Sequence, residues 1–500
     1  MKKFKFNVTS VNLITSLFLQ VLMLLNGFII SKIVLISFGS NVNGLVSSLS
    51  KFLSYISIFE GGVTGVIMAS LYKPLNEKDN NKISSIIKTT EKFYKKLSMV
   101  LLIYSIILAI VYPLVFKSEF SFSFVFCLTI ILALTSFVQY NFSLTAKTFL
   151  RADKKVWFVS IIQSLVIIIN IVLSFVAVKI YPSIHFLKLL SAVIFAIQPI
   201  IYNTYIKKHY KINNNASEDK TLLKSRWDGF SINVASFIHT NTDILILSLF
   251  TNLATVSIYS VYALVASGLR TILSFLSSGM APTIGQLYSK GDVEILDNRF
   301  NLYEFLVFFL IFFLFSVTGL LITPFVMIYT SGVSDANYYQ PIFGYILVLS
   351  EAVFLIKYPH MDLAYAANKF KELKKPSYIE AGLNIFLSLI LLHFFGIVGV
   401  VIATLISMTF TMIYYVWFTN KKIYNRPQYL FYKKMFLFLI PSFLGILICQ
   451  YFVPAVEYNW LDWVFHGIIY SIIFFVIYII TSFLFFKNEL KQLLSYVIKQ

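Results

Sequence analysis

Four basic side chains, Lys32, Lys51, Arg270 and Lys357, fall inside stretches otherwise apolar enough to cross a membrane. An ionised group is costly in hydrocarbon, so each needs a polar cavity, a partner or a route to the headgroups. Lys51 lies seven residues past Gly44, about 10 Å of helix. Lys32 sits at a similar depth from the end of its own stretch. Ser47, Ser48, Ser54 and Tyr55 occupy i−4, i−3, i+3 and i+4 around Lys51, a short polar stripe that ends at Ile58. Such a face suits the outer half of a wet cavity. Two lysines at one depth repel unless an anion lies between them, and a pyrophosphate would suit. The alternative is that both stems reach the headgroups.

Arg270 is too deep for that route. Ser267, Ser274 and Ser277 share its face at i−3, i+4 and i+7, and a guanidinium offers a planar fork to phosphate oxygens. An ion pair with an acidic neighbour is the competing reading. Lys357 has Glu351, His360 and Asp362 close in sequence, so pairing within that group competes equally with a cavity role; His360 and Asp362 themselves are assigned to the membrane interface. Asn233, Ser236, Thr240 and Asp243 follow i, i+3, i+7 and i+10, one polar face reaching mid-membrane, with His239 one turn before Asp243. A carboxylate there can take a sodium ion or a proton and drive a transport cycle, or pair with Arg270. Glu60 stands nine residues from Lys51, on the opposite face of an ideal helix. The nearby Gly61 and Gly65 permit close helix contact and the adjacent glycines a bend, so Glu60 is read as structural or gating.

The elements that position these residues are transmembrane helices. The apolar fraction is 58%, mean hydropathy is +0.80, and charged residues make up only 13%. The apolar blocks are about 20 residues long, the length that spans a bilayer as helix. The fold class expected is therefore an all-α polytopic membrane protein with about fourteen spans: two pseudo-repeated six-helix lobes and a C-terminal helix pair. The net charge of +19 does not imply nucleic acid. Most Lys and Arg lie in the termini and in every second loop, which is the positive-inside pattern. Both termini are accordingly expected in the cytoplasm. Cys127 and Cys449 are expected as buried small hydrophobes. The apolar run after Lys2, Lys3 and Lys5 reads as a first helix that is not cleaved.

The organisation expected is an N-terminal lobe over 1–206, a cytoplasmic loop over 207–230 and a second lobe over 231–418. Two further helices and a tail follow over 419–500. The second span is expected as one helix over 44–71. The halves echo each other: Asn170-Ile-Val-Leu-Ser174 matches Asn384-Ile-Phe-Leu-Ser388, and a Lys-Lys pair precedes each. Parallel repeats of this kind place a transport pathway between lobes.

Three segments carry a family resemblance. They are Phe38-Gly39-Ser-Asn-Val-Asn43-Gly44-Leu45, Asn241-Thr242-Asp243, and the run from Gly396 to Ser407. With them the chain resembles the Wzx-type polysaccharide flippases of the multidrug/oligosaccharidyl-lipid/polysaccharide exporter superfamily. The resemblance covers nearly the whole chain. It implies a flippase of the bacterial cytoplasmic membrane that moves undecaprenyl-diphosphate-linked oligosaccharide from the inner to the outer leaflet, for O-antigen, capsule or a related polymer. It implies alternating access, a polysaccharide polymerase and glycosyltransferases as partners beside the membrane lipids, no cofactor, and a proton or sodium gradient as the drive. The peptidoglycan-precursor flippases of the superfamily place cavity cations on spans one, two and eight; Lys32, Lys51 and Arg270 match by span.

A multidrug or organic-cation exporter of the same superfamily is the alternative, but it should favour acidic cavity residues. A membrane polymerase or acyltransferase fits less well. The outer loops are short, and the sequence has no Ser/His/Asp grouping, metal-ligand spacing or phosphate-binding glycine loop.

Overall fold

The computed structural model describes residues 8–60, 63–115, 120–213, 216–219, 222 and 230–498, without certain side chains in 230–240 and 494–498. Gly61, Gly62 and the side chains of Asn233, Ser236, His239 and Thr240 lie outside the described residues. Among those described, the chain is helical with no strand. The first half holds α1 (Val8–Ser54), α2 (Ser57–Glu60), α3 (Val63–Glu77), α4 (Asn80–Val115), α5 (Phe122–Val138), a π-helical turn (Gln139–Ser143), α6 (Leu144–Ala152), α7 (Val156–Ile180), α8 (Ile184–Phe195) and α9 (Ile197–His209). The second half holds α10 (Phe230–Phe250), α11 (Leu253–Lys290), α12 (Val293–Tyr329), α13 (Pro341–Ile356), α14 (Tyr358–Ala366), α15 (Phe370–Phe395), α16 (Ile397–Lys422), α17 (Tyr429–Phe452), α18 (Trp460–Phe485) and α19 (Lys487–Ile498).

Twelve helical runs are long and apolar enough to cross a membrane. One of them, Val8–Glu60, has 53 residues. At 1.5 Å per residue that is about 80 Å of helix, far more than one bilayer core needs. Its backbone turns at Gly39, where φ is 83° and ψ 174°, a conformation that only glycine adopts cheaply. The run therefore makes two crossings, and with α10 the expected fourteen are accounted for. Just past that corner, a Cβ on Gly44 would stand 1.8 Å from the carbonyl oxygen of Leu253, so the helix can approach this backbone only as glycine.

The chain forms two compact units. The first comprises Met1–Phe237 and Leu247–Ser257, the second Ile238–Ile246 and Ile258–Gln500. In the first unit, α1 packs on α7, and α5 packs on α4 and α8. In the second, α15 packs on α16, and the final pair α17 and α18 packs on α12. The Tyr478 hydroxyl ties that pair down, bonding to Phe312 O at 3.1 Å, Ser316 at 3.0 Å and Ser442 at 2.7 Å.

Burial runs opposite to that of a water-soluble protein. Helix α7 buries Gln163, Ser164, Asn170 and Ser174 while exposing Leu165, Ile168, Val172 and Phe175. Helix α15 likewise buries Asn384 and Ser388 and exposes Phe386 and Leu389. Lipid solvates the apolar faces, so the polar side chains turn inward to find hydrogen bonds. The two sequence-matched Asn/Ser pairs are thus buried in both units. Cys449 is buried, but Cys127 is exposed on the apolar surface, contrary to expectation. A thiol is apolar enough for lipid to cover it.

The expected continuous helix over 44–71 is interrupted. After Ser54, bonds from Tyr55 N to Phe52 O and from Ile58 N to Tyr55 O replace the α-helical ladder. Side chains supplement these bonds: Ser54 Oγ donates to Lys51 O at 2.7 Å and Ser57 Oγ to Ser54 O at 2.7 Å, while Tyr104 OH adds a second bond to Phe52 O at 2.9 Å. Freed backbone groups survive in a membrane only when protein satisfies them. The break at Tyr55–Ile56 falls one turn past Lys51, before the glycines that suggested a bend.

Candidate functional site

In the second unit, Arg270 on α11 is locked to Glu351 on α13. Its Nε donates to Glu351 Oε2 at 3.1 Å and its Nη2 donates to the other carboxylate oxygen. This bidentate fork is the strongest form of the pair. The Arg270 side chain still keeps 26% of its surface open, against 11% for Glu351. The Phe354 ring lies 5.1 Å from the guanidinium and 4.7 Å from the Lys357 ammonium. Lys357 sits at the α13–α14 junction and is fully enclosed. Its Nζ donates to Thr411 at 3.1 Å and lies 3.9 Å from Glu380 Oε2.

These contacts leave aside one of the two alternatives for Lys357, pairing within its own sequence neighbourhood. Its carboxylate comes from α15, because Glu351 is already taken. His360 and Asp362 are both buried within the protein. Asp362 accepts from Ser277 at 2.7 Å and from Tyr303 at 2.6 Å. His360 bonds Thr419 at 2.6 Å, and its other ring nitrogen lies 3.0 Å from Glu304.

Asp243 on α10 does not pair with Arg270. Its Oδ2 accepts from Tyr259 at 2.7 Å and from Thr404 on α16 at 2.9 Å. Asn384 on α15 donates to Thr404 at 3.0 Å. Among the described residues, Asp243 Oδ1, Asn384 Oδ1 and Ser388 Oγ are buried without a hydrogen-bond partner. A buried carboxylate beside uncommitted oxygen acceptors is the donor set that a hard cation or a proton would complete.

In the first unit, Lys32 and Lys51 are both half-buried on the two arms of α1 and both engage in interactions. The polar stripe expected around Lys51 is only partly open. Ser48 is fully buried and accepts from Tyr112 OH at 2.8 Å, and Ser54 is spent on the helix break. Ser47 and Tyr55 stay half-exposed. Glu60 at the end of α2 accepts from Thr64 at 3.2 Å and from Tyr140 OH at 3.0 Å. Tyr140 belongs to the π-helical turn, and Thr64 also meets Tyr94 at 3.0 Å. Glu60 thus ties α2 and α3 to α4 and the π turn.

Another cluster escaped the sequence reading. Glu304 on α12, fully buried, lies between Arg426 (2.8 and 2.7 Å) and Lys434 (2.8 Å), with His360 beside it. Burial opposes charge on Arg426, but Glu304 next to it holds the guanidinium above its ordinary range. More than 100 residues separate Glu304 from either cation. No local spacing announces the group.

No family model matches the sequence, and neither does any curated protein. Among solved structures, the chain is similar to a lipid II flippase, MurJ, in an inward closed conformation. The TM-score is 0.71 at 16% identity, over 93% of this chain and 98% of that one. The chain has the fold of that flippase. The same fold extends to an inward-facing multidrug resistance MATE family transporter of the MOP superfamily (TM-score 0.59, 13% identity, covering 81% of this chain and 94% of that one). It extends also to the Vibrio cholerae MATE transporter VcmN in the bent form (0.52, 13%, 85% and 99%). Glu380 completes the surroundings of Lys357, and Tyr259 and Thr404 those of Asp243; no local spacing in the sequence marks these three partners.

Proposed function

We propose that the chain is a flippase for undecaprenyl-diphosphate-linked oligosaccharides, moving them from the inner to the outer leaflet of the bacterial cytoplasmic membrane by alternating access. The product feeds assembly of a surface polysaccharide such as O-antigen or capsule. One observation carries this reading: in a fold shared by a lipid II flippase and multidrug transporters, the Arg270 guanidinium on a membrane helix of the second unit stays partly open beside Glu351. A guanidinium recruits anions such as a diphosphate. Lys32 and Lys51 add positive charge in the first unit, whereas Lys357, enclosed beside Glu380, serves mainly to hold its helices. The basic loops put both termini in the cytoplasm. Membrane lipids, a polymerase and glycosyltransferases are the partners this role requires.

Deletion of the gene tests the reading. Lipid-linked oligosaccharide should accumulate on the cytoplasmic side and the surface polymer should be depleted. Unchanged polymer with altered drug tolerance would instead support a multidrug exporter, a reading that the likeness to MATE transporters keeps open.

Asp243 is the coupling residue in this scheme, taking a sodium ion or a proton among Tyr259, Asn384 and Thr404. Asp243→Asn keeps the size and the hydrogen bonds but removes the charge. In liposomes driven by whichever gradient powers the wild type, transport should fall at least about tenfold, or about 1.4 kcal/mol of driving interaction, while binding of the lipid substrate persists. An unchanged gradient response would remove Asp243 from coupling.

A further inference from the structure

The first unit contains a cavity of about 260 Å³ in which polar groups are set among apolar ones. Its polar lining includes Asn26, Ser50, Thr135, Asn170, Ser191 and Lys188, drawn from α1, α5, α7 and α8; Leu132 and Phe195 form part of an apolar wall. Asn170 Nδ2 donates to Asn26 at 3.5 Å, and Asn170 Oδ1 is buried without a partner. Among the described residues, no carboxylate lies within ion-pair range of the Lys188 ammonium.

The internal repeat gives this cavity a counterpart. Asn170 on α7 matches Asn384 on α15, and Ser174 matches Ser388. All four are buried and, among the described residues, each has an oxygen left unbonded. In the second unit, the helix that opens the lobe brings a carboxylate, Asp243, and the last of its six helices brings a hydroxyl, Thr404. In the first unit, the opening helix brings the neutral Asn26, and the last helices of the lobe bring the cation Lys188. The same framework therefore carries opposite charge in the two units. One half is built to hold a cation and the other an anion.

We propose that the Lys188 cavity binds a carboxylate-bearing sugar unit of the transported substrate, an inference that rests on the flippase reading. A single ammonium balances a single negative charge, which suits one carboxylate better than a diphosphate. At about 30 Å³ per water, the volume exceeds what one halide or inorganic ion fills. The amide and hydroxyl groups around Lys188 match sugar hydroxyls, and the Phe195 ring and Leu132 offer an apolar surface to the sugar ring.

The test uses the full-length protein in detergent, titrated with glucuronate and with glucose. Glucuronate should bind at least about tenfold more tightly, a difference of about 1.4 kcal/mol. Lys188→Met should erase that preference and Lys188→Arg should retain it. Ser191→Val, which fills the cavity without touching the charge, should weaken both sugars. Equal binding of the two sugars by the wild type would overturn the proposal. So would an undiminished preference in a folded Lys188→Met protein. Acetate or chloride displacing glucuronate at equal concentration would also overturn it, by reducing the site to one for simple anions. The flippase reading fails separately: it falls if gene deletion leaves the surface polymer intact, whatever glucuronate does.

Discussion

Arg270→Ala should abolish surface-polymer complementation and cut flipping in reconstituted liposomes by at least about 100-fold, close to 2.7 kcal/mol at 1.36 kcal/mol per tenfold. The bidentate pair with Glu351 complicates the simple variant, because removing the guanidinium strands a largely buried carboxylate. A double variant separates the effects. Arg270→Ala with Glu351→Ala removes both charges and should restore the protein level and thermal midpoint of the wild type while leaving transport dead. Recovery of transport in the double variant would mean that Arg270 acts only as a structural tie. Arg270→Lys should be impaired too, since an ammonium cannot keep the two-point contact with Glu351 and present a face to phosphate.

Glu304→Ala should destabilise the second unit by about 3–5 kcal/mol, the cost of removing one member of a buried charged group. Two cations, Arg426 and Lys434, would be left facing each other without the buried carboxylate between them, and Asn301, which accepts from both, carries no charge. The measurement is the unfolding midpoint in detergent, together with the amount of protein inserted. Glu304→Gln should recover little, because it keeps the shape but not the charge. Replacing the whole group, with Glu304→Leu, Arg426→Met and Lys434→Met, should recover most of the loss. A fully stable Glu304→Ala protein would show that water reaches the cluster and screens it.

Much of this molecule is legible without coordinates. The lipid solvent imposes about 20 apolar residues per crossing, so the helical membrane fold and its many spans follow from hydropathy alone. The Asn170/Ser174 and Asn384/Ser388 match was also legible, because membrane helices bury their scarce polar residues and a repeat keeps them in register. Periodicity was a poorer guide between Lys51 and Glu60, because the helix breaks at Tyr55–Ile56 and the two residues do not share one continuous helix.

What the sequence could not determine was partnership. Arg270 chose Glu351, 81 residues away, over Asp243; Lys357 took Glu380 rather than its own neighbours; and Glu304 gathered cations from beyond α16. Ion-pair choice depends on distances of 3–4 Å between helices, and no pattern within one helix encodes those distances. The helix break after Ser54 was hidden for a related reason: it is held by Tyr104 from another helix as well as by local serines. The sequence by itself determined that charge had to be placed inside a bundle of membrane helices. Only the tertiary structure decided which charges neutralise one another and which oxygens and cations are left for a ligand, because that balance is set by how the helices pack.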